Sequence, residues 1–147
     1  MGNLKLTSSA FEDGSEIPRK YGYKNGNEVP PLAINGVPEG TESLTLIMDD
    51  PDAMGAVGKV WVHWVAWNID PTKPFHSGMH DAEGKTDFGE VGYGGPAPPD
   101  KRHTYEFRLF ALEVELDLPS ESTKAVVIDA MEPHIIDQAT LTGTYAP

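Results

Sequence analysis

Leu44-Thr45-Leu46-Ile47-Met48-Asp49-Asp50-Pro51-Asp52-Ala53 is the stretch on which the reading of this chain turns. Its first half has strand character. Side chains alternate between faces in extended backbone, so Leu44, Leu46 and Met48 share one face and Asp50 continues their parity. A carboxylate is thereby carried to the end of a strand on its core-facing side. Pro51 stops further pairing and fixes its own φ, and bonds preceding proline are the ones that adopt the cis form. Asp52 returns a second carboxylate two residues later. Taken alone, the stretch reads as a polar turn capping a strand; residues further along give it chemical meaning.

Downstream, Val60 to Ile69 is the most apolar run and holds all three tryptophans. Strict alternation puts Trp61, His63, Val65 and Trp67 on one face and Val62, Trp64, Ala66 and Asn68 on the other. Apolar residues on both faces mark a central strand covered from both sides. Tyr105 to Leu112 is a second strong strand, with Tyr105, Phe107, Leu109 and Ala111 on one face and Phe110 and Leu112 on the other. Upstream, Leu4-Lys5-Leu6-Thr7 alternates, and Val29 to Ile34 is extended because residues before proline avoid the helical region. Gln138 to Tyr145 reads as a closing strand. One segment is convincingly helical: Pro119-Ser120-Glu121-Ser122 supplies cap residues, and Val127, Ala130 and Met131 form an i, i+3, i+4 stripe within Thr123 to Met131. The sum is a mainly β, mostly antiparallel single domain over residues 1–147 with a short C-terminal helix. The helix share expected is about 10–15%, below that of most globular proteins.

The chain carries a formal net charge of -12 and no Lys/Arg cluster. That balance repels nucleic acid and anionic membrane surfaces. No apolar run approaches the length of a membrane span, so stable membrane insertion is not expected. Cysteine is absent, which excludes disulfides, thiolate metal sites and cysteine nucleophiles. Met1 to Leu6 lacks both a signal-peptide core and the Ser or Thr of a myristoylation site, and the expected location is cytoplasmic. The many glycines and prolines are dispersed among apolar strands and read as turns.

Asp50, Asp52, His63 and His103 fall at or near strand ends, with Tyr105 close by. A single histidine inside an apolar strand, such as His63, is ordinarily a satisfied core residue, and His103 by itself is an ordinary loop histidine. Between them lies Tyr93-Gly94-Gly95-Pro96-Ala97-Pro98-Pro99. Glycines let a backbone approach a ligand closely, prolines stiffen the loop, and successive N–H groups can face an anion. It is not a phosphate loop, having no G-x-x-x-x-G-K-[S/T] pattern. Residues 72–102 show little periodicity, as in an excursion over a functional site.

Together, Asp50-Pro51-Asp52-Ala53, Trp61-Val62-His63-Trp64, Gly94 to Pro99 and His103-Thr104-Tyr105 resemble the phosphatidylethanolamine-binding protein family. The likeness is greatest to its short bacterial and archaeal branch, often called Raf-kinase-inhibitor-like. Order and spacing match over nearly the whole chain. The resemblance implies an antiparallel β-sandwich with a small pocket for phosphate or a phosphoethanolamine head group. By motif position Asp50, Asp52, His63, His103 and Tyr105 line the pocket. Gly95, Pro96, Ala97 and Pro98 form one wall, and Trp61 stands at the rim. It further implies a binding or regulatory protein without catalysis or cofactor, a homodimer as in short members, and in some members a kinase or protease as partner. There is one departure: the family usually has arginine directly after the second histidine, where this chain has Thr104. Arg102 is the candidate replacement, although in an extended segment it points to the opposite side.

Two carboxylates are a poor lining for an anion. They become sensible if the ligand carries an ammonium tail, if one carboxyl is protonated, or if both orient the histidines. The third arrangement is preferred, because buried imidazoles need an orienting partner. Donors to the anion are then His63, His103, the Tyr105 hydroxyl and loop N–H groups; His76, in a turn outside the motifs, is the reference histidine. A cis bond is expected at Asp50–Pro51 or within Ala97-Pro98-Pro99. Two other functions fit the same residues. Two Asp and two His are a conceivable zinc or manganese set for a hydrolase, though less specific than H-E-x-x-H. An inhibitor of kinases or proteases is the other, and fold alone does not assign it.

Overall fold

The strands read from the alternating stretches lie side by side. In the computed structural model, which describes residues 2–72 and 82–147, β4 (Ser43–Asp50) pairs antiparallel with β5 (Trp61–Ile69) on one edge and β7 (His103–Leu112) on the other. β8 (Ile135–Tyr145) pairs antiparallel with β7, and the short β2 (Ser15–Glu16) adds to β8 in parallel. β6 (Ala82–Glu83) closes the far side, giving the order β2-β8-β7-β4-β5-β6. A second, two-stranded sheet joins β1 (Lys5–Thr7) to β3 (Ala33–Asn35). The helices are short: α1 (Ala53–Val57), α2 (Lys124–Met131) and two single 3₁₀ turns. The helix content is thus as low as the sequence suggests. No helix among the described residues is long and apolar enough to cross a membrane.

Both faces of the large sheet are covered, which explains why β4 is buried along its whole length. One face packs Leu44, Leu46, Met48, Trp64, Tyr105 and Phe107 against Leu4, Leu6, Phe11, Ile17 and Leu32 of the N-terminal region. The other packs Ile47, Val65, Trp67, Phe110 and Leu112 against Val127 and Met131 of α2. Each large side chain so buried contributes about 1.5–3 kcal/mol. Thr123 caps α2 by accepting from the Val126 N–H, as a Thr at that position does.

Two bulges in the β4–β5 pairing depart from strict alternation. Met48 pairs with Trp64 but Asp49 pairs with Val62, so His63 is an extra residue on β5. An extra residue reverses strand parity. Val62 therefore packs on the face of Val65 and Trp67, whereas alternation alone would separate them, and His63 joins the side of Trp64 and Tyr105. The second bulge lies near Asn68, which adopts φ 56°; Asn tolerates this left-handed region. Its amide exchanges two hydrogen bonds with the Leu116 backbone.

The expected cis bond is not found: every peptide bond described is trans, including Asp50–Pro51 and those of Ala97-Pro98-Pro99. The chain turns after β4 by entering helical geometry instead. Asp52 sits at φ -72°, ψ -12° and begins α1, and the Met54 N–H donates to the Pro51 carbonyl. Five residues are too few to show a periodic stripe, which is why α1 escapes a sequence reading. Gly58 ends it at φ 80°, a helix stop that glycine supplies without a Cβ penalty.

Candidate functional site

Antiparallel register brings the end of β4 together with the beginnings of β5 and β7. Asp50 lies opposite Trp61, and Asp49 opposite both Val62 and Glu106. A cavity of about 170 Å³ opens at this end of the sheet. Asp50, His63 and His103 form its polar part, and Trp61, Phe88, Ala97, Pro99 and the α1 residues Ala53, Ala56 and Val57 form an apolar surround.

His63 is buried, and its Nδ1 lies 2.7 Å from the Gly94 carbonyl oxygen. A carbonyl only accepts, so Nδ1 carries the proton and Nε2 is an acceptor in the neutral ring. Burial lowers the His63 pKa below 6.5, against the smaller opposing pulls of Gly94 and of Asp50. His103 is also buried but differs electrostatically. Nδ1 donates to Asp50 Oδ2 at 2.6 Å and Nε2 to Asp100 Oδ1 at 2.7 Å. Burial opposes protonation here too, yet the bonds to Asp50 and Asp100 outweigh it and raise the pKa above 6.5. With a carboxylate oxygen on each nitrogen, His103 is placed to act as an imidazolium, both N–H groups committed. It has no lone pair for a base or a metal, and no free donor while Asp100 is in place.

Tyr105 lies beneath, edge-on to His63 with ring centroids 5.2 Å apart. Its hydroxyl is buried beside the Asp50 carboxylate and the Ala97 backbone, close enough for both to act on it, although neither contact has full hydrogen-bond geometry. Burial and then the Asp50 charge raise its pKa. Asp50 Oδ1 and Trp61 Nε1 are likewise buried and unpartnered among the described residues.

The expected site residues therefore meet, with differences of role. Asp50, Trp61, His63, His103 and Ala97 border the cavity. Asp52 is exposed and accepts the Thr104 backbone N–H at 2.8 Å, so it braces the start of β7 from outside. Gly95, Pro96 and Pro98 are buried behind the wall, where Gly95 N–H donates to Asn27 Oδ1 and Pro96 accepts from the Tyr23 N–H. Arg102 does not replace the arginine missing at Thr104: it points away, to Glu16 and Thr144. His76 lies outside the described residues.

Three neighbours of the expected residues escape the sequence reading. Phe88 stacks on Tyr23 at 4.0 Å and meets Trp61 and His63 edge-on; nothing in its aperiodic surroundings singles it out. Asp100 had a signal, its place three residues before His103. Asp49 is adjacent to Asp50 but faces the other side, where Arg108 and Lys124 hold its Oδ2 at 2.7 and 2.5 Å. As to a metal, Asp50 Oδ1 and His63 Nε2 are the ligand atoms that remain in the cavity among the described residues. No group of three or more His, Cys, Asp or Glu among the described residues is placed to hold an ion.

Comparison with known proteins bears on the fold and the family. The model of the phosphatidylethanolamine-binding protein family matches residues 7–146. A UPF0098 protein of Methanothermobacter thermautotrophicus is 42% identical over 97% of this chain and 98% of its own. Another, from Chlamydia trachomatis serovar D, is 39% identical over 97% and 98%. The crystal structure of a phosphatidylethanolamine-binding protein homologue from Chlamydia trachomatis superposes with a TM-score of 0.91 at 37% identity, covering 99% of this chain and 98% of that one. Escherichia coli YbcL, described as a member of the mammalian family, gives 0.86 at 31%, with 98% of each chain covered.

Proposed function

The chain belongs to the phosphatidylethanolamine-binding protein family, and from that premise we propose that it is a binding or regulatory module, without catalysis, whose cavity takes a small oxyanion such as phosphate or a phosphoethanolamine head group. One observation carries the reading. A small cavity with an apolar surround ends in polar atoms that are buried and unpartnered among the described residues: Asp50 Oδ1, the Trp61 indole N–H and, beneath, the Tyr105 hydroxyl. Buried polar groups are almost always paired, so such a set is suited to a polar ligand. His103 has a supporting role, its imidazolium neutralising Asp50 while fixing its orientation. His63 is the ligand-facing imidazole.

Protonating His63 converts Nε2 from acceptor to donor, so phosphate affinity rises as pH falls below 6.5. Calorimetric or NMR titration with phosphate tests this in three proteins: wild type, His63→Ala and His134→Ala. His134 pairs with Glu113 and is partly exposed. A lost charge-assisted hydrogen bond is worth about 1.5–3 kcal/mol, roughly tenfold to a hundredfold in affinity. At the acidic end of the titration, where His63 is protonated, His63→Ala should lose that much and His134→Ala nothing. Equal affinities, or tighter wild-type binding as pH rises, would overturn the assignment of His63.

A further inference from the structure

The cavity asks its ligand for a hydrogen. Asp50 is 3% exposed, and its Oδ2 is engaged by His103 Nδ1–H. Its Oδ1 has no partner among the described residues. His63, with Nδ1–H given to Gly94, adds a second acceptor at Nε2. Against these acceptors stand two unpartnered donors, the Trp61 indole N–H and the Tyr105 hydroxyl. An oxyanion bearing one proton answers the donors and the carboxylate together: its ionised oxygens accept from the donors and its O–H donates to Asp50 Oδ1, while His63 Nε2 is met only when the ring or the ligand takes up a further proton. A fully ionised oxyanion would set lone pairs against Asp50 Oδ1 in a site shielded from water, where an unpaired acceptor is costly.

We propose that the cavity selects oxyanions that carry a proton, with Asp50 Oδ1 accepting from the ligand O–H, and rejects fully ionised ones such as sulfate. This rests on the reading of the cavity as an oxyanion site and names the selectivity of that site. Asp50 is its specificity-determining residue. β4 and His103 hold the carboxylate in place, and the Tyr105 hydroxyl beside it is the internal donor with which a ligand O–H competes. The groups that set the local charge are Asp50 on β4, His63 on β5, His103 and Tyr105 on β7, and Asp100 in the preceding loop.

Three oxyanions separate the possibilities, each titrated into the full wild-type chain at the same pH so that the protein groups are in one state. Inorganic phosphate keeps a proton throughout the neutral range. Methyl phosphate loses its proton above about pH 6, and sulfate has none. At about pH 8 phosphate should bind roughly tenfold to a hundredfold more tightly than either of the others. At about pH 5.5, below the second ionisation of a phosphomonoester, methyl phosphate should approach phosphate while sulfate stays weaker. Asp50→Asn, which can offer an amide N–H, should narrow the gap between phosphate and sulfate. Equal binding of phosphate and sulfate at both pH values overturns the selectivity alone. Binding of none of the three overturns the oxyanion site, and the selectivity with it.

Discussion

His103 and Asp50 form a buried ion pair, Nδ1 to Oδ2 at 2.6 Å, with side-chain exposures of 0% and 4%. The outer nitrogen is held by Asp100, whose side chain is 43% exposed. One carboxylate is therefore built into the sheet and the other belongs to the surface loop. His63, a short distance away beyond Tyr105, faces a carbonyl instead. At His63 burial outweighs the carbonyl contact, whereas at His103 the two carboxylates outweigh burial, so the pKa values of two buried imidazoles of one cavity move in opposite directions.

The two histidines should titrate on opposite sides of 6.5, His63 below and His103 above. Their effects on stability have opposite signs. His103 has a raised folded pKa, so its contribution is complete below 6.5 and is lost as pH rises through that raised value. His63 has a lowered one, so its contribution is complete above 6.5 and is lost as pH falls toward its folded value. Asp100→Asn removes one of the charges that hold the proton and should lower the His103 pKa without moving His63. NMR titration of the imidazole resonances checks both statements. A His103 signal that titrates below 6.5 in the wild type would contradict them.

Asp49 should matter to stability far more than a surface pair does. Its carboxylate is 3% exposed and ties β7 to α2 through Arg108 and Lys124. Breaking a buried pair costs about 3–5 kcal/mol. Arg108 and Lys124 keep 29% and 22% exposure and can rehydrate, so Asp49→Asn should fall at the lower end, about 3 kcal/mol. Glu16→Ala breaks the Arg102–Glu16 pair, half-exposed on both sides, and should cost less than about 1 kcal/mol. Urea unfolding of the two variants measures the difference; comparable losses would refute it.

Alternation over Leu44 to Met48 and Tyr105 to Leu112, and the apolar run at Val60 to Ile69, were enough to place three central strands, because burial on both faces leaves its mark on composition. The same rule misplaced His63 relative to Val62 and Val65, since a single bulge residue reverses parity and leaves no mark of its own. The motif residues Asp50, His63 and His103 could be gathered from the resemblance, but not their charge states. Those depend on the burial of His63 and on the carboxylates of Asp50 and Asp100 around His103, which exist only once the chain is folded. Arg102 shows the same limit in reverse: its place beside His103 suggested a substitute for the missing arginine, and strand parity sends it outward to Glu16.

Gly95 should be the residue of the Gly-Pro loop least tolerant of change. A Cβ there would overlap the Tyr21 carbonyl oxygen and stand 2.9 Å from Tyr23 N and 3.0 Å from Gly22 C. All three are backbone atoms and cannot rotate aside. The loop is also clipped to that segment by Gly95 N–H to Asn27 Oδ1 at 2.7 Å and by Tyr23 N–H to the Pro96 carbonyl at 2.9 Å. Gly95→Ala must therefore push the loop outward and carry with it the cavity wall at Ala97 and Pro99. Overpacking of this kind costs about 1–3 kcal/mol, and phosphate affinity should drop by roughly tenfold or more if one charge-assisted contact is displaced. Gly55 supplies the control. It lies within α1 at the cavity mouth, yet a Cβ there meets nothing within 4 Å. Gly55→Ala should be neutral or stabilising by up to about 1 kcal/mol and leave phosphate binding intact. Thermal unfolding and a phosphate titration of both variants decide the matter: a Gly95→Ala protein that binds as the wild type does would show that the loop does not form the cavity wall.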